Sequence, residues 1–594
     1  MAFETSATGL SKALVTTVIW STLSLSILGF DHHHQTAKGW KKPLPEGITE
    51  SEGPNAIGND PLLRHETTSP HTNQSHILPY GLLIGQDNDL CDRMDQHLRK
   101  LESRVQEMDV QDHLTGQWVS SQCEVRPGGQ FLLRQYFFRS NGEDNNDSFI
   151  LNQYHYSDRD CITPLYMVKV WGTLKYGRSS WLVPGSSEMK PTISRVGIVP
   201  FTQEASNELF KRTTRSCSFL QELIGDRSRW RTGKMVIVYL TDVAKVGKSL
   251  PVSLTDWVPH FRDEACLDSM NLDFHELQLM RIERRPIRKH HHKFRTHHLE
   301  LLLGDIHTDV HQQRKYRPTA MQPYSLINAN QVYRCKTCHK VIHATSDQPP
   351  RLHPRPFISV APQGEWLSVR CETRPNTLFL RRRLRFLPNR TWMGTYRYFS
   401  DELCTKSVFE ISAKGKFLPS GLSSKVDGGS NFEFKIKEAS IKPQTESLAR
   451  QLNAVPTGSC GSRGQWRLDD YQDITQTNGC KAMGLKIPII EKDLLKIEID
   501  QRANAFAKPH LLLYLGQTDT DQRESSSTYF TRPTSYQPPL IQCHIDPGYH
   551  ILTNELFPLA QALRMSRNVA NGIRSNVWIF LSTIIVNFWS VMPK

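Results

Sequence analysis

Short apolar stretches with partial alternation of apolar and polar residues recur along much of this chain. Clear examples are residues 131–138, 149–156, 165–171, 378–386 and 432–437. Because successive side chains of a strand point to opposite faces, this pattern predicts half-buried β-strands. Asn-Gly, Pro-Gly and Gly-Gly pairs separate the stretches and predict turns. Many short strands spaced by turns favour a sandwich or a barrel.

Helical periodicity is clearest in one place, ahead of the strands. Apolar residues from Cys91 to Met108 recur at steps of three and four positions, which predicts a short helix. Residues 31–88 have neither period and are rich in Pro, Gly, His and Thr. They are expected to form a flexible N-terminal segment.

The chain contains a long internal repeat. Residues 116–127 and 364–375 share Gly, Trp, Ser, Cys, Glu, Arg and Pro at identical spacing. Later matches follow in the same order, such as Cys161 with Cys404 and Arg317-Pro-Thr with Arg532-Pro-Thr. A repeat unit of roughly 200 residues has the size of a domain and is too long for a solenoid repeat.

We therefore predict a mainly β protein with two tandem homologous antiparallel β-barrel-like domains, a flexible N-terminal lead and a C-terminal hydrophobic anchor. The predicted segments are a signal peptide (1–30), a flexible segment (31–88), a first repeat domain (89–345), a linker (346–362), a second repeat domain (363–545), a stalk (546–576) and a transmembrane or anchor segment (577–592). Residues 232–257 have no counterpart in the second repeat, so they are either a tolerated loop or an artefact of the gene model.

Both ends of the chain carry apolar stretches that bear on localisation. Residues 13–30 follow Lys12 and fit the apolar region of a signal peptide, with an anchoring or buried helix as the alternative. Residues 577–592 carry Trp near each end, as membrane-interface belts do. They predict a single-pass type I protein of the cell membrane with extracellular domains. Three arginines just before this stretch oppose the positive-inside tendency, so a glycolipid anchor remains the alternative.

Twelve cysteines agree with an oxidising compartment. The disulfide candidates are Cys91, Cys123, Cys161, Cys217, Cys266, Cys335, Cys338, Cys371, Cys404, Cys460, Cys480 and Cys543. Seven belong to the first unit and five to the second. Because both counts are odd, complete pairing needs at least one bridge between the units; otherwise two thiols stay free. The connectivity itself cannot be read from the sequence.

Two cysteines form a short motif of their own, Cys335-Lys-Thr-Cys338, followed by His339 and His343. Two cysteines and two histidines at this spacing resemble half of a zinc site. The oxidising character of the rest of the chain favours a disulfide instead.

Three sequons predict glycosylation at Asn73, Asn146 and Asn389. The last two fall in corresponding turns of the two repeats, where a glycan can be attached without opening the core.

The formal net charge of +14 suggests contact with acidic glycans, anionic membrane or acidic protein, since a secreted chain does not meet nucleic acid. Residues 284–295 are strongly basic and are either a solvated loop or a contact for heparan sulfate or anionic lipid. Residues 381–385 are also basic but lie in a predicted strand, which indicates an exposed sheet edge. The histidine runs at 32–34 and 290–292 are interpreted as polar loops rather than metal sites.

No motif for a catalytic nucleophile, a phosphate loop, a metalloprotease or a calcium loop is present in the sequence. We therefore expect no enzyme, no catalytic residue, no metal and no cofactor. Trp118 and Trp366 stand at the head of each repeat. They are interpreted as core anchors, or alternatively as lining of an apolar ligand cavity, because small barrels can enclose a ligand.

Several motifs together resemble one known family. They are the two repeat heads, His275-Glu-Leu-Gln-Leu279, Asn478-Gly-Cys480, and the segments 303–309 and 532–537. In this order they resemble the adenomatosis polyposis coli down-regulated family of membrane glycoproteins, over about residues 85–545. The first 90 residues and residues 232–257 are unlike that family.

The resemblance implies a signal peptide, two barrel-like domains, a C-terminal anchor and extracellular inhibition of Wnt signalling. It also implies binding of Wnt ligands, including their acyl chain, in an apolar cavity, and contact with Wnt co-receptors. A general lipid- or glycan-binding surface module is the alternative function, and a secreted enzyme is a third.

Overall fold

The computed structural model describes residues 84–142, 146–217, 227–241, 264–287, 296–332, 335–375, 378–499, 511–520 and 532–544. The predicted signal peptide, stalk, anchor segment and the sequon at Asn73 lie outside these residues. No helix within the described ranges combines the length and the apolar character needed to cross a membrane.

Strands dominate the described residues. In the first repeat they are β1 (Gln106–Met108), β2 (Gly116–Ser120), β3 (Glu124–Arg126), β4 (Gln130–Arg139), β5 (Asn146–Tyr156), β6 (Pro164–Ser179), β7 (Ser187–Pro200), β8 (Val236–Leu240), β9 (Leu279–Ile287), β10 (Thr296–Leu303) and β11 (Leu326–Asn328). In the second they are β12 (Gly364–Ser368), β13 (Glu372–Arg374), β14 (Leu378–Phe386), β15 (Thr391–Phe399), β16 (Ser407–Leu422), β17 (Ser430–Pro443), β18 (Gln472–Asp473), β19 (Gly479–Cys480), β20 (Leu485–Lys486), β21 (Ile489–Ile499), β22 (Leu511–Leu515) and β23 (Leu540–His544).

Helices are short apart from the first. They are α1 (Ile84–Glu102), α2 (Val110–His113), α3 (Gln203–Ser216), α4 (Glu264–Ser269), α5 (Lys336–Ile342) and α6 (Glu446–Ala454). Single 3₁₀ turns include His275–Gln278, directly before β9.

Each repeat forms an antiparallel sheet that closes on itself. In the first, the ring runs β2-β4-β5-β6-β7-β9-β10-β11, and β11 pairs with β2 through Leu326 and Ser120. In the second, it runs β12-β14-β15-β16-β17-β21-β22-β23, and β23 pairs with β12. The predicted class is therefore confirmed: two tandem antiparallel barrels, each with eight strands in the same up-and-down order. Closure leaves the ring strands without a free edge.

The extra segment of the first repeat contributes to its sheet. The apolar run that ends at Leu240 forms β8, which pairs with Arg195–Ile198 of β7. β7 also pairs with β9 near its start, at Ser187 and Glu188. The described part of this segment thus extends the barrel wall.

Periodicity set the length of the first helix wrongly. The predicted helix continued to Met108, but α1 ends at Glu102 and residues 106–108 form strand β1, which pairs with β9. The apolar spacing of Val105 and Met108 also fits a helix, so the pattern alone did not show the change. Pairing with the distant strand β9 adds residues 106–108 to the sheet, and local spacing does not show this partner.

Strand alternation sorts the side chains between the barrel interior and its outer face. In β4, Arg134, Tyr136 and Phe138 face inward, whereas Leu133 and Gln135 face outward. The interior of the first barrel is apolar over most of its length. Its buried residues include Trp118, Tyr136, Phe138, Phe149, Leu151, Val168, Val170, Leu174, Val196, Ile198, Met280, Ile282, Leu301 and Leu303.

The two barrels share an apolar junction. Its buried side chains come from both repeats and include Val119, Leu133, Tyr154, Tyr156, Met167, Leu367, Val426, Leu494, Leu512, Tyr514, Tyr536 and Ile541. Residues 346–362, predicted as a linker, lie against this junction. Arg355 forms ion pairs with Asp160 of the first repeat and Glu498 of the second, both at 2.9 Å. The linker therefore contacts both repeats, and the barrels pack together rather than standing apart.

A helix covers the outer face of each barrel at matched strands. Helix α5, which follows the first barrel, receives hydrogen bonds from Gln135 of β4. Helix α1, which precedes the first barrel in sequence, contacts β14 of the second barrel instead, where Arg383 pairs with Asp92 and Arg381 with Asp95.

The predicted exposed edge at residues 381–385 is wrong. Strand β14 is paired on both sides within the ring, and Arg381 and Arg382 are buried. Arg381 is covered by α1, and Arg382 points into the barrel, where it meets Glu372. The arginines of β14 do lie on both faces of the sheet, as alternation requires. Each face offers them an acidic partner, Asp95 on the outside and Glu372 on the inside.

All twelve cysteines are paired. The bonds are Cys91–Cys543, Cys123–Cys161, Cys217–Cys266, Cys335–Cys338, Cys371–Cys404 and Cys460–Cys480. The odd counts left either a bridge between the units or two free thiols, and Cys91–Cys543 is such a bridge. The bonds of Cys123 and Cys371 occupy matching places in the two repeats.

The bridge between the units fixes α1 on the second barrel across 452 sequence positions. We expect the double variant Cys91→Ser/Cys543→Ser to lose roughly 2–5 kcal/mol of unfolding free energy, because a long loop is no longer closed in the unfolded chain. Urea unfolding under non-reducing conditions measures this loss. Hydrogen exchange in α1 should rise in the same variant.

The matched control is Cys335→Ser/Cys338→Ser, which opens a loop of only three positions. Its loss should be clearly smaller. Equal losses in the two variants would contradict the assignment of α1 as a long-range tether.

Candidate functional site: the barrel interiors and their buried charges

The head motif of the first repeat builds a buried ion pair. Arg134 is completely buried inside the barrel, and its Nη2 lies 2.9 Å from Glu124 Oε2. Ser120 Oγ donates to Glu124 Oε1 at 2.6 Å and accepts from the Arg134 backbone N–H at 2.7 Å. The serine and glutamate of the motif therefore serve one purpose, which is to provide partners for a buried arginine.

The second barrel repeats this arrangement. Ser368 Oγ donates to Glu372 Oε1 at 2.6 Å, and the Arg382 backbone N–H donates to Ser368 Oγ at 2.7 Å. Arg382 Nε donates to Glu372 Oε1 at 2.9 Å. The similarity of the two heads is thus explained by the same buried charge in both barrels.

A second carboxylate completes the network only in the first barrel. Glu276, from the His275-Glu-Leu-Gln-Leu279 motif, accepts hydrogen bonds from Arg126 (2.6 Å), Arg134 (3.3 Å), Tyr136 (2.7 Å) and Gln322 (3.0 Å). Burial by itself would raise the pKa of Glu276, but the charges of Arg126 and Arg134 outweigh burial and lower the pKa to about 2. This carboxyl is therefore ionised and fully partnered.

The residue at the matching sequence position of the second barrel is Glu491. Met280 pairs with Leu303 in the first barrel as Leu495 pairs with Leu515 in the second, and Glu276 and Glu491 each come four positions before these residues. Their local structures differ, because Glu276 lies in a 3₁₀ turn and Glu491 lies in strand β21. Burial, followed by the negative charge of Asp493, raises the pKa of Glu491 to about 7.

Glu491 is nevertheless reached by solvent. Its strand β21 turns alternate residues, including the buried Leu495 and Ile497, toward the barrel interior. Because Glu491 is on the interior side of β21 and is still exposed, it lines an opening in the barrel wall or the mouth of the barrel.

Aromatic side chains line the second barrel next to this carboxylate. They are Phe386, Trp392, Phe417, Phe432 and Phe434, with ring centroids as close as 5.2 Å between Phe386 and Phe417. Phe434 pairs in register with Glu491. Tyr396 and Tyr398 are half-buried, and the charge of Glu491 helps to raise the pKa of both, after burial itself. This interior combines a broad apolar wall with a polar, solvent-reached end.

Both candidate tryptophans are fully buried inside their barrels. Trp118 Nε1 donates to the Leu114 carbonyl at 2.7 Å, and Trp366 Nε1 donates to the Pro362 carbonyl at 2.6 Å. With the indole N–H satisfied and the ring covered, each takes the place of a core anchor. Their contact with a ligand stays a prediction.

A cleft lies where the two barrels meet. It is open to solvent and is lined by matched residues of the two repeats, such as Arg126 with Arg374 and Gln322 with Gln537. Beside it, Thr308 and Thr520 exchange hydrogen bonds, each backbone N–H donating to the other hydroxyl. The reciprocal contact indicates local two-fold pseudosymmetry.

The remaining candidate residues are distributed over the surface and the disulfides. Asn389 is exposed in the turn between β14 and β15, and Asn146 begins β5 and is half-buried. Cys335 and Cys338 are bonded to each other, so in this state they are not zinc ligands. Within the described residues, no group of three or more His, Cys, Asp or Glu side chains is placed to hold a metal.

Sequence reasoning did not identify the buried ion-pair network. Its members were quoted as parts of the repeated motifs, but the pairing of Arg126 and Arg134 with Glu276 spans 142 to 150 positions. The repetition of Ser, Glu and Arg at fixed spacing was the available signal. It indicated a shared role without showing the partner.

A family model described as adenomatosis polyposis coli down-regulated 1 matches residues 90–353 and again residues 358–547. The gap between the two matches falls within the predicted linker. The matches cover most of the chain, and the chain belongs to this family.

The two matched glutamates give opposite expectations on neutralisation. Glu276→Gln leaves Arg126 and Arg134 short of a buried carboxylate, so we expect a loss of about 3–5 kcal/mol of unfolding free energy at neutral pH. Because the folded pKa of Glu276 is below its ordinary value of 4.5, its contribution is present above that value and is lost as pH falls toward about 2. The loss caused by the substitution should therefore shrink in acid. Urea unfolding across a pH series measures it.

Glu491→Gln is the matched control. The folded pKa of Glu491 is above its ordinary value of 4.5, so the wild type loses stability as pH rises from there through about 7. The glutamine variant should be at least as stable as the wild type above neutral pH. A large loss in this variant would show that Glu491 has a partner that the geometry does not contain.

Proposed function

We propose that this family member is an extracellular negative regulator of Wnt signalling, which binds acylated Wnt ligand and a Wnt co-receptor at the cell surface. The observation that carries the proposal is the pair of closed eight-stranded barrels with apolar, aromatic interiors in a chain of this family. Barrels of eight strands are just wide enough to be filled by side chains or to hold one small ligand.

Binding uses the acyl chain of the ligand. Burial of an acyl chain contributes roughly 0.8 kcal/mol per CH₂ group, so about ten methylenes supply around 8 kcal/mol before the costs of ordering and association. The interior residues of both barrels provide the apolar wall for this burial. In the second barrel, Tyr396, Tyr398 and Glu491 offer polar groups at the end that solvent reaches, where the chain of an amphiphile would stop.

Inhibition in this proposal is sequestration and includes no chemical step. A lipidated signal whose acyl chain is enclosed cannot present that chain to its receptor. The charged network around Arg134 supports this role structurally, because it holds one end of the barrel in a fixed arrangement. Contact with a co-receptor places the inhibitor where the signal arrives.

The cell surface is the proposed location. Six disulfides agree with an oxidising compartment, and the anchor segment at residues 577–592 would keep the barrels outside the cell. Glycans at Asn73, Asn146 and Asn389 and contact of the basic segment 284–295 with heparan sulfate or anionic lipid belong to the same proposal.

Acyl dependence is the first test. Wnt that carries its acyl chain should bind the purified protein much more tightly than the same Wnt without it, because the apolar burial is lost. Binding by surface plasmon resonance or biolayer interferometry measures the difference. Equal affinity for the two ligands contradicts the mechanism and favours a module that recognises another surface of its partner.

Matched variants locate the chain within the barrels. Val168 and Ile411 lie inside the first and second barrel at equivalent places. Across the neighbouring strands, Arg134 pairs with Gln153 and Gln153 with Val168, as Arg382 pairs with Tyr396 and Tyr396 with Ile411. Val168→Phe and Ile411→Phe narrow one interior each, and one of the two should reduce binding of acylated Wnt at least tenfold. The outward controls are Lys169→Phe and Ser412→Phe. Thermal unfolding confirms that each variant folds, since overpacking alone costs about 1–3 kcal/mol. If both interior variants bind acylated Wnt as tightly as the wild type does, the acyl chain is not buried in either barrel.

The nature of the anchor gives a further prediction. If residues 577–592 form a transmembrane segment, phosphatidylinositol-specific phospholipase C leaves the protein on cells, and deletion of residues 577–594 releases it into the medium. Flow cytometry before and after enzyme treatment measures this. Release by the phospholipase would establish the glycolipid anchor instead.

A further inference from the structure

The disulfide Cys335–Cys338 has one buried end and one half-buried end, as Cys91–Cys543 also has. Cys338 is fully buried, whereas Cys335 is half-buried and precedes the first turn of α5 as its N-cap. The Cys338 backbone N–H donates to Cys335 Sγ at 3.0 Å. One half of the bond is therefore covered by protein, and the other half lies at the surface.

This bond also closes the shortest loop. Its cysteines are separated by 3 positions, and those of the other five bonds by 20 to 452. The entropy that a disulfide removes from the unfolded chain grows with the length of the loop it closes. Cys335–Cys338 therefore restrains the unfolded chain least, and the fold does not depend on it.

The charges around the motif favour a thiolate. Lys336, His339 and Lys340 are close to the two cysteines in the sequence, and there is no acidic residue from 327 to 346. Basic neighbours and donated backbone N–H groups lower the pKa of a cysteine thiol. The hydrogen bond from Cys338 N–H to Cys335 Sγ acts in the same direction.

We propose that Cys335–Cys338 is a thiol–disulfide exchange site, which reacts with low-molecular-weight thiols of the glutathione class or with protein dithiols. A thiolate of the partner attacks Cys335 Sγ, the bond to Cys338 breaks, and Cys338 leaves as a thiolate. A second partner thiolate then attacks the partner sulfur of the mixed disulfide. Cys335 then leaves as a thiolate. The two partner thiols are oxidised to a disulfide, and their two electrons reduce Cys335–Cys338.

Exchange at this site acts on the junction between the barrels. The last turn of α5 is held on the first barrel by Gln135 Nε2, which donates to the carbonyls of Val341 (3.0 Å) and Ile342 (3.2 Å). Cys338 and Val341 belong to the apolar cluster that both repeats share. Reduction frees the first turn of α5 from its covalent restraint while the last turn stays attached, so the covering of the junction loosens without loss of the barrels.

Graded reduction of the purified full chain tests the site. The protein is equilibrated with defined ratios of reduced to oxidised glutathione, free thiols are trapped by alkylation, and the peptides are mapped by mass spectrometry. We expect Cys335 and Cys338 to become reduced at a ratio at least tenfold lower than any other pair, with unchanged far-UV circular dichroism. Hydrogen exchange should rise in residues 335–340 under the same conditions. Reduction of this pair together with or after the long-range pairs would overturn the proposal.

Two single variants test the roles of the two sulfurs. Cys338→Ser leaves the surface cysteine free and should form a mixed disulfide with glutathione in high yield. Cys335→Ser leaves only the buried cysteine and should form at least tenfold less in the same time. Equal yields, or no adduct with either variant, would overturn the assignment of Cys335 as the attacked sulfur.

The basic environment has its own matched pair. Lys336→Glu should slow the exchange several-fold by disfavouring the thiolate, whereas Lys437→Glu, at an exposed lysine of the second barrel, should leave the rate unchanged. If neither variant changes the rate of exchange, the basic residues do not favour the thiolate, and the assignment of Cys335–Cys338 as the reactive pair is contradicted.

Discussion

One buried arginine in each barrel sets the main constraint on this structure. Arg134 and Arg382 are nearly or completely inaccessible to solvent, and a guanidinium at such a place must find carboxylates and hydrogen-bond acceptors. Glu124 and Glu372 supply the charge, and Ser120 and Ser368 orient it. The spacing of Ser, Glu and Arg in the repeated heads follows from this requirement. The neighbouring cysteines bond this turn to the turn that follows β5 in the first barrel and β15 in the second.

Similar architecture leads to different interiors. In the first barrel, Glu276 adds a second carboxylate, so Arg126 and Arg134 are both paired and Tyr136 is hydrogen-bonded. In the second, Glu491 at the matching sequence position and its neighbour Asp493 both have a raised pKa, which favours the protonated form of each. In the first barrel the buried charges at this end are all paired. In the second, polar groups lie beside an aromatic wall. A duplicated fold has here acquired two interiors with different chemistry.

The junction makes the two barrels one compact unit. Apolar side chains of both repeats are buried there, Arg355 of the linker pairs with both sides, and α1 is bonded to the second barrel through Cys91–Cys543. Helix α1, which comes before the first barrel in sequence, is thus bonded to the last strand of the second barrel. This bond restricts the relative position of the two repeats, because a helix that precedes the first barrel in sequence covers part of the second.

The sequence by itself determined the features that depend on local pattern. Alternation predicted the strands, and matched motifs predicted two copies of one domain and the family. Odd cysteine counts reduced the choice to a bridge between the units or two free thiols. Tertiary structure alone decided which distant residues meet. It ended α1 at Glu102, placed Arg381 under α1 instead of at an edge, and gave Arg134 the partner Glu276. The physical reason is that periodicity reports only which face a side chain takes. Burial, charge pairing and ring closure depend on residues hundreds of positions away, which no local pattern encodes.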